Sequence, residues 1–291
     1  MKRGAAMANG IRYAWLEEGH GPLVLLLHGY PDSAHSWEHQ LSALAAAGYR
    51  AVAPFMRGYP PTEVPLGGFY DRGTLARDVV DLIDVLGGGE RCDLVGQDWG
   101  AAISYAVLGA FGERIRRAVI LAVPHPVVIR QTLRRSPVQV LRSFHWFLFQ
   151  LPWLPEHLVT ARNAAFLEFL WWLWSPRYDD RAHVAAIRRT MADPAVAQAT
   201  LAYYRAAMQE SFRDPALADV RARMDRPIEV PTRVLCGSKD MRGRMLDDQR
   251  SLFRGEYEWH LVDGAGHFLH RERPDEVNRL MLDWLSAGRS G

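Results

Sequence analysis

The chain has 291 residues, 48% of them hydrophobic and 23% charged, with a formal net charge of +2. That is long enough to bury a large core, and α/β folds of this size are often one domain carrying an insertion. Positive and negative residues are interspersed, which argues against a nucleic-acid partner; the arginine-rich stretches 130–142 and 221–226 read as solvated helix faces.

In chain order, residues 1–10 are too short and too polar for a signal peptide. Residues 23–27 form an unbroken apolar run that ends at His28-Gly29, the pattern of a buried parallel strand. A helical segment over 34–47 and a strand over 50–54 follow. Leu75, Val79, Leu82, Ile83 and Leu86 recur at helical spacing and stop at Gly87-Gly88-Gly89. Next come a strand over 92–95, a helix of small residues over 101–110 and a strand over 118–122. Alternation of this kind predicts a mostly parallel sheet with right-handed crossovers.

The pattern breaks after Pro124 and Pro126. From about 127 to 223 there is no convincing strand and there are many tryptophans, most of which are expected to pack. Alternation resumes with a strand over 230–236, a helix near 245–253, a strand over 257–262 and a helix over 274–285. The expected organisation is an α/β core in two parts, 1–126 and 224–291, interrupted by a helical lid over 127–223. Cys92 and Cys236 sit in apolar runs and read as buried free thiols. No Cys/His spacing fits zinc, so neither metal nor cofactor is expected. The aromatic runs 144–154 and 166–174 fall short of the roughly 20 residues of a membrane span, so no membrane partner and a cytoplasmic location are expected.

The chemistry concentrates at four strand ends. Gly96-Gln97-Asp98-Trp99-Gly100 has the glycine frame of a nucleophile elbow, with aspartate where serine stands in G-x-S-x-G. A carboxylate in that position attacks an sp³ carbon and forms an alkyl ester, as in epoxide opening or halide displacement. A loop aspartate capping the next helix is the plainer alternative. His28-Gly29-Tyr30-Pro31 can aim the Tyr30 amide at a developing oxyanion, with the Trp99 amide as second donor. His28 is expected to orient this loop, and His28 and Pro31 to border the pocket. Gly264-Ala265-Gly266-His267 offers a general base, and Asp240, in Cys236-Gly237-Ser238-Lys239-Asp240, can hold its tautomer. His270 is a weaker candidate for the base, and His125 reads as shaping the hinge into the lid. Asp78, Asp81 and Glu113 read as solvated charges, and Asp247 and Asp248 as surface residues.

These motifs, in the order Asp98, Asp240, His267, resemble the α/β-hydrolase superfamily and specifically its epoxide hydrolases. That aspartate-nucleophile branch is shared with haloalkane and fluoroacetate dehalogenases, and the likeness runs from about residue 7 to 285. It implies the α/β-hydrolase fold and two lid groups that hydrogen-bond the epoxide oxygen. Tyr204 matches the second of these; His145 stands where the first is usually tyrosine, with Trp146 beside it bordering the pocket. A His-Trp pair in the lid is also similar to fluoroacetate dehalogenases. Those enzymes, however, carry arginines where this chain has Trp99 and Ala102, and an acid where it has Ala122-Val123. Haloalkane dehalogenases typically carry a polar residue where Tyr30 sits. Phe55, where relatives often have aspartate, has no functional account. The resemblance therefore implies an epoxide hydrolase acting on a small apolar epoxide, with at most a second copy of the chain as a homodimer partner. A dehalogenase using Asp98 is the alternative, and a non-catalytic ligand-binding α/β-hydrolase the remaining one.

Overall fold

Eight strands form one sheet in the computed structural model, which describes residues 1–87, 91–176 and 178–287 and leaves the side chains of Arg244, Asp247 and Asp248 undescribed. In chain order they are β1 (Lys2–Ala8), β2 (Ile11–Glu18), β3 (Leu23–Leu27), β4 (Arg50–Pro54), β5 (Cys92–Gln97), β6 (Ile115–Leu121), β7 (Thr232–Gly237) and β8 (Tyr257–Val262). Their spatial order is β1-β2-β4-β3-β5-β6-β7-β8. β1 and β2 pair antiparallel, as do β2 and β4, and the remaining neighbours are parallel. β3 and β5 are buried along their whole length because both faces of the sheet are covered there.

Helices α1 (Glu38–Ala46), α2 (Arg72–Gly87) and α3 (Trp99–Ala110) belong to the first crossovers. Between β6 and β7 stand α4 (Pro126–Arg135), α5 (Pro137–Arg142), α6 (Phe144–Leu148), α7 (Leu154–Trp174), α8 (Arg181–Met191), α9 (Pro194–Met208) and α10 (Ala218–Arg223). No strand interrupts them among the described residues. α7 is two helical pieces joined by a kink, with Arg162, Asn163 and Ala164 at positive φ. α11 (Leu269–Glu272) and α12 (Pro274–Ser286) close the chain.

Several expectations from sequence are corrected. The β1–β2 hairpin went unread, although its Asn9-Gly10 turn, at φ 43° and 77°, is the strongest short-range hairpin signal. Its polar residues hide the alternation because β1 is an edge strand, largely exposed. The segment expected to be a helix near 245–253 is two short 3₁₀ turns, Gly243–Met245 and Asp247–Leu252. The expected surface position of the Asp247 and Asp248 side chains lies outside the described residues, as do Gly88 and Gly89 of the helix stop.

Asp78 is not a solvated charge. It is fully buried and receives Arg57 at 2.6 and 2.7 Å and the Tyr13 hydroxyl at 2.6 Å. Arg57 in turn offers its carbonyl to the Tyr203 hydroxyl of α9 at 2.7 Å, so this buried ion pair ties the insertion to the sheet. Phe55 is buried and its ring packs 5.5 Å from His35, which suits an apolar residue there. The tryptophans divide: Trp171 stacks on Phe268 at 3.5 Å and Trp174 is buried, whereas Trp153 and Trp172 are 83% and 62% exposed. No described helix is long and apolar enough to cross a membrane.

Candidate active site

The loops after β3, β5, β7 and β8 meet at the carboxyl edge of the sheet, where open α/β sheets bind ligands. Asp98, between β5 and α3, has φ 53° and ψ −114°, a conformation that non-glycine residues hold only where the surroundings impose it. Here the constraint is α3 packed directly on β3: a Cβ on Gly100 would run into the Leu27 carbonyl. The Asp98 carboxylate makes no capping bond to α3, which removes the plainer reading of this residue. Its Oδ1 accepts the Tyr30 N–H at 2.9 Å. Its Oδ2 lies 3.3 Å from His267 Nε2, in ion-pair range but not aligned as a hydrogen bond, and Nε2 has no hydrogen-bond partner among the described residues.

On the other edge of the ring, His267 Nδ1 is 2.8 Å from Asp240 Oδ2. Asp240 Oδ1 accepts the Arg242 N–H at 2.8 Å, which fixes the carboxylate plane. The Arg242 guanidinium approaches His267 Nδ1 to 3.2 Å and Asp240 Oδ1 to 3.7 Å. An Nδ1–H that donates to Asp240 has no lone pair to accept from arginine. The Arg242 approach is therefore an electrostatic contact on the histidine edge.

The charges follow from these contacts. Burial works against ionising Asp98, yet His267, the Arg242 charge and the Tyr30 amide outweigh it and lower its pKa, so Asp98 is a carboxylate at neutral pH. Asp240 is lowered in the same way, burial being overcome by the His267 hydrogen bond and Arg242. Burial also opposes a charged His267, but Asp240 and Asp98 prevail and raise its pKa above 6.5, with Arg242 pulling the other way.

A cavity of about 380 Å³ opens over Asp98 and is walled by Trp99, Trp146, Tyr204 and Arg242. Tyr204, from α9, has its ring 5.0 Å from Trp99 and 5.3 Å from Tyr30, and burial keeps its phenol protonated far above the usual range. Trp146 stacks on Trp99 at 5.6 Å. His145 is buried behind this wall, 5.9 Å ring to ring from Tyr204 and 4.9 Å from Trp174. Burial pushes its pKa down to about 3, so the ring is neutral, and its Nδ1 has no partner among the described residues.

His28 and Pro31 also lie outside the cavity wall. The His28 Nε2 accepts the Met56 N–H at 3.1 Å, its Nδ1 is 2.9 Å from the Gly29 carbonyl, and Pro31 offers its carbonyl to Trp171. Of the two amides expected at an oxyanion, only that of Tyr30 is bonded to the carboxylate among the described residues. His270 is held by Ser36 at 2.6 Å, away from Asp98. His125 caps α4, accepting the Val127 N–H at 3.2 Å.

Arg242, Arg72, Arg130 and Arg134 all line the cavity and were missed by sequence reasoning. A signal existed for the last two: Pro126, Ile129, Arg130, Leu133 and Arg134 share one face of a helix by their 3- and 4-residue spacing. That face borders the cavity, while Arg130 and Arg134 themselves remain exposed to solvent, in keeping with the reading of the stretch as a solvated helix face.

An eight-stranded, mostly parallel sheet with an aspartate elbow and an acid–histidine pair at its carboxyl edge defines an α/β-hydrolase, and the family model described as "Alpha/beta hydrolase family" matches residues 24–280. The chain is similar to epoxide hydrolase 3 of Siraitia grosvenorii, 30% identical over 312 residues that cover 96% of each chain. It is also similar to human epoxide hydrolase 4, at 27% identity over 95% of this chain and 76% of that one. Among solved structures, ALR0039 from Nostoc sp PCC 7120 superposes with a TM-score of 0.86 at 25% identity, covering 98% of both chains. The protein is a hydrolase and belongs to the epoxide hydrolase family within the α/β-hydrolases.

Proposed function

We propose that the protein converts an epoxide to a vicinal diol through an alkyl ester on Asp98. The observation that carries this reading is the bracketing of one ionised carboxylate by the Tyr30 amide on Oδ1 and His267 on Oδ2, with the Tyr204 phenol facing the same cavity. Residues 127–223 act as the lid that supplies Tyr204 as the donor to the epoxide oxygen, while His145, behind the cavity wall, packs against Tyr204 and takes no part in the steps below.

Oδ2 attacks a ring carbon in line, the carbon–oxygen bond of the oxirane breaks, and the leaving alkoxide takes the Tyr204 phenol proton. Such hydrogen bonds strengthen as charge develops and so act on the transition state. Oδ1 becomes the ester carbonyl oxygen, already at the Tyr30 amide. His267 then takes a proton from water, and the hydroxide adds to the Asp98 carbonyl carbon. The oxyanion is held by Tyr30, joined by Trp99 as the carbon turns tetrahedral, an effect of roughly 3–4 kcal/mol per donor elsewhere. Collapse breaks the bond from carbon to Oδ2; the diol leaves with that oxygen and the proton held by His267, and the proton left on the Asp98 carboxyl passes to the Tyr204 phenolate, which restores both groups.

The histidine pKa supports this order of events. Asp98 is one cause of the raised value, and alkylation replaces its charge with a neutral ester. The His267 pKa therefore falls, and more of the ring is in the neutral form that can take a proton from water at the step that needs one.

Styrene oxide, haloalkanes and haloacids should be offered while diol and free halide are followed together. Diol from the epoxide is expected; halide release without diol would sink the reading. In ¹⁸O-water a single turnover should give unlabelled diol, and label in the first turnover would mean direct attack by water. His267→Gln should accumulate an enzyme with the mass of the substrate added at Asp98.

A further inference from the structure

A second cavity, of about 840 Å³, opens between the loop after β7, strand β8 and helices α5 and α7. Arg242 is the one described residue that lines both this cavity and the one over Asp98. The second cavity is cationic: Arg142, Lys239 and Arg242 stand against Asp240 alone, a surplus of two positive charges among the described lining residues (3 − 1 = 2). Asp240 is already engaged by His267 and the Arg242 N–H. Arg142 and Lys239 are exposed and have no ion-pair partner among the described residues. Two buried polar atoms of the lining residues also lack partners among the described residues, the Trp174 Nε1–H donor and the Gln139 Oε1 acceptor. Trp174 is 3% exposed, and the Gln139 amide is oriented by its Nε2, which donates to the Met241 carbonyl at 3.4 Å. A buried polar atom without a partner is costly, and a ligand that supplies one recovers that cost. Trp259 and the exposed Leu261 add apolar surface to the wall.

We propose that this cavity is a second ligand site, separate from the one over Asp98, which takes an apolar carboxylate bearing a hydroxyl group. Arg142 and Lys239 bind the carboxylate, and Trp259 and Leu261 cover the apolar body. The hydroxyl, at once donor and acceptor, answers Gln139 Oε1 and Trp174 Nε1–H. The site acts on turnover through Arg242, a link that rests on the epoxide reading above. His267 faces Asp98, Asp240 and Arg242. His145 and His270 nearby are neutral, and Glu272 is tied to Ser175 and the Gly266 amide. Of these groups only Asp240 and Arg242 line the second cavity. A bound anion offsets the Arg242 charge, which holds the His267 pKa down. The ring then stays protonated to higher pH, and water activation slows near neutrality.

Calorimetric titration at low salt compares 6-hydroxy-2-naphthoate with its methyl ester and with 2-naphthoate. The hydroxy acid should bind about fivefold more tightly than its ester, the increment of two partly solvated ion pairs. That preference should vanish in Arg142→Gln/Lys239→Gln and survive in Arg130→Gln/Arg134→Gln, which alters the cavity over Asp98 instead. Trp174→Phe should bring 2-naphthoate and its hydroxylated form to one affinity; a gap that persists removes the hydroxyl from the assignment. With styrene oxide as substrate, saturating hydroxy acid should move the acid limb of ester hydrolysis to higher pH, and should leave it in place in Arg142→Gln/Lys239→Gln. No heat from any probe, equal affinity of acid and ester, or a preference lost with Arg130 and Arg134 overturns the site. Binding with an unmoved acid limb overturns its link to His267. Absence of diol overturns the epoxide reading and the link to turnover, while calorimetry still decides the site.

Discussion

Gly29→Ala tests whether Asp98, the proposed nucleophile, is held by packing as tightly as its backbone suggests. Gly29 has no positive φ, so alanine is permitted there by its own backbone and the effect is purely one of space. An added Cβ would meet the Asp98 Cβ and lie 2.7 Å from Oδ1 and 2.8 Å from the Gln97 carbonyl. An ordinary contact begins near 3.4 Å, so Oδ1 has to move by 0.7 Å (3.4 − 2.7 = 0.7), and Cβ by more. That motion pulls Oδ1 from the Tyr30 amide and turns Oδ2 from its line of attack. Displacements near 1 Å cost up to about 100-fold in rate, or about 2.7 kcal/mol of activation free energy. The overpacking itself should cost about 1–3 kcal/mol of stability. Rapid-quench measurement of ester formation, with a thermal melt on the same sample, separates the two effects. A folded Gly29→Ala enzyme that forms the ester within threefold of the parent rate would refute the argument from packing.

Other residues give sharper readouts of particular steps. Asp240→Asn removes the anion that fixes Nδ1–H, so water activation should fall on the order of 10⁴-fold while ester formation persists, giving a long-lived adduct by intact mass; prompt diol release would contradict this. Arg242→Gln removes a charge that lowers the His267 pKa, so the acid limb of the ester-hydrolysis rate should move to higher pH and Arg242→Lys should move it back; a limb that stays or moves lower excludes that role. Asp32, buried and paired with His183 of α8 at 2.8 Å, has its pKa lowered from 3.8 to about 2 because that pairing outweighs burial. A depressed acid contributes stability above its unfolded pKa and loses it as pH falls through the folded one. Asp32→Asn should therefore be less stable by about 2 kcal/mol at pH 7, the gap closing between pH 4 and 2 in denaturant titrations.

Much of the frame was legible in the sequence because it is local. The all-apolar run of β3, the helical spacing of α2 and the glycines around Asp98 each carry their information within a dozen residues. The β1–β2 hairpin was missed because its evidence is a two-residue turn on a polar edge. Asp78 was misjudged for a different reason: its charge is the same in solution or in a core, and only Arg57, brought in from another loop, decides which applies.

The sequence by itself determined the α/β alternation, the family and the candidates Asp98, Asp240 and His267, since each is written in neighbouring residues at a strand end. Tertiary structure decided what surrounds them. Pairing β7 with β8 sets 2.8 Å between His267 and Asp240, and packing the insertion over the sheet places Tyr204 at the cavity and leaves His145 behind its wall. The same packing brings Arg242 and Arg72, with the solvent-exposed Arg130 and Arg134, to the cavity lining, giving charge to a pocket that the sequence had presented as apolar. Electrostatics and cavity shape depend on distances between remote segments, and those distances exist only once the chain has folded.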